Sequence, residues 1–366
     1  MVRRACLKPS AQPVYVAVRT AMVGTLLTIT IACQLRAPGR VRVAFLMPDS
    51  KTTRYETHDR PLFEAKLKEL CPACEVIYGN ADQDPARQQA QAQAAFTNGV
   101  RVLVIAAVDG VAAASIADEA KANRIPVIAY DRLIRGTDAI RYYISFDNYK
   151  VGCMQGRALL EAVAGKPHPQ LVFINGSPTD PTASMNKAGT HSVVDGHARI
   201  AAEYDTPDWS ADKAEQEMTQ SLTALGNHVD GVRAANDGTA GGAIAALKSA
   251  GVSPLPPLTG QDAELAAIQR LLTGEQYMTV YKAVRKQAEA AAEVAAYLAQ
   301  NKSVPAEITG GKYVENGRIR VPAVLLEPTV VTARNIQETI LRDGFWTREQ
   351  ICTPAYRRAC EAAGLR

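Results

Sequence analysis

The chain has 366 residues, 47% of them hydrophobic and 21% charged, with a net charge of +4. That length predicts two domains, each with chain enough to bury a core. The balance is that of an ordinary globular protein rather than a disordered one, and Lys and Arg are scattered, which leaves no footprint for nucleic acid.

The N-terminal stretch departs from this composition. Arg3, Arg4, Lys8 and Arg19 precede an apolar run from Ala21 to Ala32, which Cys33 closes. Basic residues before a short apolar run predict an export signal over residues 1–33, too short for a permanent membrane span. Thr30-Ile31-Ala32-Cys33 resembles a bacterial lipobox, with Thr30 where such boxes prefer Leu. Cys33 is thus a candidate lipidation site, with plain cleavage nearby as the alternative. The expected location is the periplasm or the outer face of the cell membrane.

From residue 41 strands and helices alternate. Val41–Leu46 is an apolar run ended by Met47-Pro48-Asp49, a strand and its turn. A helical stretch runs to about Leu70, followed by strand Glu75–Tyr78, helix Pro85–Asn98, strand Val102–Ala106, helix Gly110–Asn123 and strand Pro126–Ala129. The alternation restarts after Phe146-Asp147-Asn148, with a helix near Val151–Ala164 and a strand at Gln170–Ile174. Strands at Ile200–Tyr204, Gly231–Ala235, Pro257–Thr259 and Tyr277–Tyr281 follow, with helices at Asp212–Leu225, Gly241–Ala250 and Ala283–Gln300. Residues 320–332 read as a closing strand. Continuous Val/Ile/Leu strands between helices predict an α/β protein of two doubly wound, parallel-sheet lobes joined by a hinge.

Seven cysteines are present, and two pairs are close in sequence: Cys71 with Cys74, and Cys352 with Cys360. In an oxidising compartment these read as two short-loop disulfides. A redox-active Cys71-Pro72-Ala73-Cys74 would have to open a helix straight after a strand, and here the motif follows a helix and precedes a strand. A zinc site would need a second ligand pair, which the histidines are not spaced to supply. Cys153 is left over as a small buried residue.

Ligands of open parallel α/β sheets bind beyond the carboxyl ends of the strands. Those positions hold Asp49, Lys51, Arg54 and Tyr55 after the first strand, and Asp131 and Arg132 after the fourth. Further on stand Asn175 to Asp180, Asn236 and Asp237, Gln261 and Asp262, and Lys282. Such fixed donors and acceptors suit a polyhydroxylated sugar, whose hydroxyls donate to carboxylates and accept from Arg, Lys or Asn, while Tyr55 could cover an apolar ring face. Each Asp or Asn taken singly is as readily a helix cap or turn residue.

Five separated motifs then occur in a recognisable order: Ala129-Tyr130-Asp131-Arg132-Leu133-Ile134, Ile144-Ser145-Phe146-Asp147-Asn148, Asn236-Asp237-Gly238-Thr239-Ala240-Gly241-Gly242-Ala243, Gly260-Gln261-Asp262-Ala263-Glu264 and Met278-Thr279-Val280-Tyr281-Lys282. Over residues 41–330 the chain resembles the D-xylose-binding proteins of bacterial ABC importers. The resemblance implies a type I periplasmic-binding fold with three crossovers between lobes. It also implies sugar contacts at Arg54, Asp131, Arg132, Asn236, Asp262 and Lys282, and partnership with an ABC permease and its ATPase. Lys51, Tyr55, Asn148 and Asp180 complete the expected site. The expected lobes are residues 41–146 plus about 283–310, and residues 147–282 plus about 311–366 with the disulfide-stapled tail. Two departures stand out: Pro181 and Thr182 follow Asp180 where relatives often carry two Asn, and Tyr55 stands where they often carry Trp. The segment Glu203–Trp209 also differs, which leaves the second stacking residue unassigned.

The expected molecule is a monomeric sugar-binding protein for D-xylose or a related aldose, without cofactor or metal, and not an enzyme, since no nucleophile–base pair or cofactor fingerprint is found. The membrane enters only through an anchor at Cys33. The competing readings are the effector domain of a LacI-like regulator, which would need a DNA-binding headpiece where the export signal stands, and a sugar sensor coupled to a chemoreceptor or kinase.

Overall fold

The computed structural model describes residues 40–365; the export signal and Cys33 lie outside them. The first strand, β1 (Val41–Met47), leads through a short π-helical turn (Tyr55–Asp59) into α1 (Arg60–Leu70). Then come β2 (Cys74–Asn80), α2 (Pro85–Thr97), β3 (Val100–Ile105), α3 (Ala114–Ala122), β4 (Val127–Tyr130) and β5 (Ile140–Phe146). The chain continues with α4 (Asn148–Ala162), β6 (Gln170–Asn175), α5 (Pro181–Val194), β7 (Arg199–Asp205), α6 (Ala211–Ala224), β8 (Gly231–Ala234), α7 (Asp237–Ser249), α8 (Leu265–Thr273) and β9 (Thr279–Tyr281). Helix α9 (Val284–Ala299), a short α10 (Ala306–Thr309), β10 (Tyr313–Glu315), β11 (Arg320–Leu326), β12 (Thr329–Val331) and a helical tail close it.

Two sheets organise these elements. The first runs β10-β11-β5-β4-β3-β1-β2, parallel except for the terminal β10–β11 hairpin. Its strands are apolar on both sides because both faces are covered: Phe63, Leu67 and the Ala-rich face of α9 pack on one, and residues of α2 and α3 on the other. The second is the parallel sheet β7-β6-β8, with a single bridge from Val232 to Leu258 and a nearby antiparallel ribbon of β9 and β12. Helices α6 and α7 cover one face, and Leu159, Val163 and Val194 of α4 and α5 the other. Helices α4 and α5 touch backbone to backbone. A Cβ on Gly152 would fall 1.9 Å from the Asn186 carbonyl oxygen, and one on Gly189 would fall 2.0 Å from that of Tyr149.

The chain passes between the sheets three times: at residues 146–148, at 281–284 and at 326–329. The third passage corrects the expected division. Residues 313–326 lie in the first lobe rather than the second, because Ala323–Leu326 pair in parallel with Tyr143–Phe146 and complete the edge of the first sheet. The single closing strand expected over residues 320–332 is consequently two, one in each lobe. β5 and α5 were not anticipated. α5 is built largely of Thr, Ser, Asn, Gly and Ala, so it carries little apolar stripe for a periodicity argument to find. The stretch expected as strand Pro257–Thr259 contributes only the bridge at Leu258.

Both short-loop disulfides are present, Cys71–Cys74 between α1 and β2 and Cys352–Cys360 in the tail; Cys153 is free and buried. No described helix is long and apolar enough to cross a membrane.

Candidate ligand-binding site

The carboxyl ends of the strands of both lobes converge on one cleft. Its walls include Arg54, Tyr55, Asp131 and Arg132 from the first lobe, Asp180, Trp209, Asn236, Gln261 and Asp262 from the second, and Lys282 at the second passage; little free space, about 20 Å³, remains between them. All of these side chains are buried.

On the first-lobe side Arg54 caps the π-helical turn. Its Nη2 pairs with Asp131 Oδ1 at 2.8 Å and with Asp59 Oδ1 at 3.5 Å. Tyr55 Oη donates to the other oxygen of Asp131, Oδ2, at 2.7 Å. Arg132 donates to the Ala107 carbonyl and, through Nη2, to Asp49 Oδ2 at 3.0 Å. Asp49 itself faces away from the cleft, accepting from the Thr52 amide and from Gln83, so it braces Arg132 from behind.

On the second-lobe side Asp180 caps α5. Its Oδ1 accepts from the Thr182 amide and hydroxyl, and its Oδ2 accepts from Trp209 Nε1 at 3.2 Å. The same Oδ2 lies 2.9 Å from Arg132 Nε, an ion pair across the cleft. A longer one joins Arg54 Nη1 to Asp262 Oδ1 at 3.9 Å, and Lys282 Nζ stands 2.9 Å from that oxygen. Asn236 caps α7 in a reciprocal capping box with Thr239. The cap reading and the cleft reading are thus both true of Asp180 and Asn236, since a cap at a strand's carboxyl end faces the cleft by construction.

The two central carboxylates are held alike. Asp131 has φ +59° and its amide bonds to Ile144 O on the adjacent strand; Asp262 has φ +92° and its amide bonds to Val280 O, each at 2.8 Å. A left-handed residue at a strand end turns the side chain inward at a backbone cost that persists only where surroundings enforce it. Trp209 is the third such residue, with φ +54° following Asp208 at +59°. Its ring fills the space that Gly176 leaves open, because a Cβ there would fall 2.1 Å from ring atom Cη2.

Burial alone would raise the Asp131 carboxyl, but Arg54, Lys282, the Tyr55 hydroxyl and Arg132 hold it well below the usual carboxylate range. Asp59, behind Arg54, is pushed up to about 6 by burial against the pull of Arg54 and the hydroxyl of Tyr130. Arg132 resists the effect of burial because Asp180, Tyr55 and Asp49 surround it, and it stays charged throughout. The cleft lining thus balances three cations, Arg54, Arg132 and Lys282, against three carboxylates, Asp131, Asp180 and Asp262. It carries no excess charge for an ionic ligand. Arg54 Nε and Nη1 are buried without a hydrogen-bond partner within the protein, whereas Arg132 Nε and Asp262 Oδ1 are met by the ion pairs to Asp180 and Lys282. Donors left so are costly, and they stand on one lobe while the Asp262 acceptor stands on the other.

A second group of buried carboxyls lies behind the second-lobe wall. Burial raises Asp237 to about 7 despite Arg270 and Gln276, and burial followed by Asp237 and Asp262 raises Glu264 to about 8. Asp237 accepts from Thr279, Gln276 and the Glu264 amide, a structural knot rather than a cleft group. Behind Gln261, the fully buried Arg233 reaches Asn186 Oδ1, and Asn186 Nδ2 in turn donates to Gln261 Oε1.

Of the expected site residues, two are not in the cleft. Lys51 is exposed, on the outer side of the turn that buries Thr52 and Arg54. Asn148 is buried, but its amide bonds to Ser145 Oγ and the Phe146 carbonyl, so it pins the first passage between lobes. Thr52, Thr182 and Trp209 line the cleft and were not among the residues expected to, and Gln261, noted only as a strand-end position, lines it beside Asp262. Thr182 is where an amide seemed lost, and Trp209 fills the aromatic place left open. Among the described residues no group of His, Cys, Asp or Glu is placed to hold a metal ion.

Residues 43–303 match the family described as periplasmic binding protein domain. The chain is 38% identical to the D-xylose-binding periplasmic protein of Haemophilus influenzae over 316 residues, covering 85% of this chain and 92% of that one. It is 36% identical to the protein of the same name from Escherichia coli, with the same coverage. A solute-binding protein of an ABC transporter from Clostridium phytofermentans, solved with bound β-D-glucose, superposes with a TM-score of 0.77 at 30% identity, covering 85% of this chain and 99% of that one.

Proposed function

The chain belongs to the periplasmic binding protein family, and from that premise we propose that it captures a neutral aldose, D-xylose or a close relative, for an ABC import permease. The family is one of transport proteins, not enzymes, and the relatives are periplasmic. The observation that carries the reading is the charge-balanced cleft in which Arg54 presents donors without a hydrogen-bond partner toward Asp262 of the opposite lobe, an acceptor held only by Lys282. Sugar hydroxyls both donate and accept, so one molecule can meet both sets. A phosphorylated or acidic sugar would need surplus positive charge, which this lining lacks. The polar groups converge on one compact spot rather than along an extended groove, an arrangement that suits a single ring rather than an oligosaccharide.

In this reading Arg54, Asp131, Arg132, Asp180, Asn236, Asp262 and Lys282 bind hydroxyls, and Tyr55 and Trp209 offer aromatic surface to the ring's C–H bonds. The three passages at residues 146–148, 281–284 and 326–329 form the hinge about which the lobes close. Export follows from residues 1–33, with Cys33 as the anchoring residue if it is lipidated, and the protein acts as a monomer. Titration calorimetry of the exported chain against D-xylose, D-glucose, D-galactose, L-arabinose and D-ribose tests the proposal. One of them should bind with a Kd of about 1 μM or tighter, about −8 kcal/mol. Absence of heat and of thermal stabilisation with all five would overturn it.

A further inference from the structure

A cluster of basic residues outside the cleft lies at the opposite end of the first sheet. Arg101, Lys121, Arg124, Arg141 and Lys302 line one open depression of about 730 Å³, over a floor that includes Ile125, Pro126 and Leu298. Separate elements deliver them: Arg101 opens β3, Lys121 and Arg124 end and follow α3, Arg141 opens β5, and Lys302 follows α9. All five are exposed. Lys121 pairs with Asp138 at 2.6 Å. Arg101 makes a single hydrogen bond to the Ala299 carbonyl. Among the described residues Arg101, Arg124, Arg141 and Lys302 have no carboxylate within 4.0 Å. Many other surface cations of this chain do have one, such as Arg60, Lys66, Lys150 and Lys248. Unneutralised like charges around one concavity raise its potential together, and guanidinium groups match phosphate oxygens two by two.

We propose that this depression is a binding site for phosphate-bearing anions, a ligand class the charge-balanced cleft would reject. The chain's connectivity points to one source. β1 begins at this same end of the sheet, with Arg42 opposite Val100, so the segment carrying the export signal joins the lobe here and Cys33 precedes Arg40 by only seven residues. Anionic phospholipid headgroups would meet the basic rim, and the apolar floor would tolerate the glycerol backbone beneath them. A soluble phosphate compound has the same chemistry and is the second source.

The test uses the exported chain carrying Cys33→Ser, so that no acyl chain contributes. Sedimentation with vesicles of phosphatidylcholine alone and of equal parts phosphatidylcholine and phosphatidylglycerol is run beside calorimetry with pyrophosphate. Binding to the anionic vesicles only, lost at high salt where the Debye length is about 3 Å, assigns the lipid source; pyrophosphate binding without vesicle binding assigns the soluble one. In Arg124→Ala/Arg141→Ala/Lys302→Ala either affinity should fall about a hundredfold. Arg124→Glu/Lys302→Glu serves as a second variant, and unchanged sugar affinity reports that each variant is folded. Wild-type protein that binds neither probe, or variants that bind as the wild type does, would overturn the proposal.

Discussion

Asp180→Asn separates holding the sugar from holding the lobes together. The substitution keeps the Oδ1 acceptor that caps α5 through Thr182. It replaces Oδ2, which faces Trp209 Nε1 at 3.2 Å and Arg132 Nε at 2.9 Å, with an amide that can only donate. Two donors then confront a third, and Arg132 loses its cross-cleft partner while keeping Asp49 at 3.0 Å. Breaking one partner of a buried ion pair costs about 3–5 kcal/mol. The surviving Asp49 contact sets the expectation at the lower end, about 3 kcal/mol, or a loss of affinity of about a hundredfold. With the lobes parted Asp180 and Arg132 are hydrated, so the ion-pair cost falls on closure, and the melting temperature without ligand should move only by the lost Trp209 hydrogen bond within the second lobe, about 1 kcal/mol. Sugar titration and ligand-free thermal melting of the same preparation measure the two quantities. A variant that binds like the wild type refutes the cross-cleft role, and a collapsed ligand-free melting temperature refutes its restriction to closure.

Trp209→Ala should weaken sugar binding about tenfold through lost ring contact, and Gly176→Ala should do likewise by displacing the indole it underlies; calorimetry of both variants checks this. Asp237 and Glu264 are raised to about 7 and about 8, so the stability they contribute is full below their unfolded values and is lost as pH rises through that range. Melting temperature should therefore fall from mildly acidic pH up to about pH 8 and level off above it, and Glu264→Gln should blunt the fall. Reducing Cys352–Cys360, which are eight residues apart, should cost about 2–3 kcal/mol on chain-entropy grounds, as denaturant unfolding with and without reductant would show.

Much of this was legible in the residues because strand ends are punctuated. Asp131, Arg132, Asn236, Asp262 and Lys282 stand where an apolar run stops, and parallel topology sends every such stop to one cleft. Lys51 obeys the same rule and fails, because within one turn successive side chains point in different directions and only Thr52, Arg54 and Tyr55 face inward. Trp209 escaped for the converse reason: it follows β7 on a loop, and its placement depends on two left-handed residues and on a glycine more than thirty positions earlier. β5 and β11 define each other as neighbours across about 180 residues, a pairing that no local pattern contains. The disulfides, being local, were readable from spacing and compartment alone.

The interleaving of the two lobes also bears on how the molecule is made. One face of the first sheet is covered by Ala288, Ala291, Ala292 and Ala295 of α9, and its β5 edge is closed by β11. Residues 41–146 therefore leave synthesis with one apolar face only partly covered, by α1, and one edge unpaired, and they stay so until nearly 200 further residues have followed. Contacts so distant in sequence form slowly, since loop closure must precede them. A first lobe that cannot be completed before the last strands exist stays incomplete through most of synthesis, a topology that suits a chain proposed to cross a membrane before it folds.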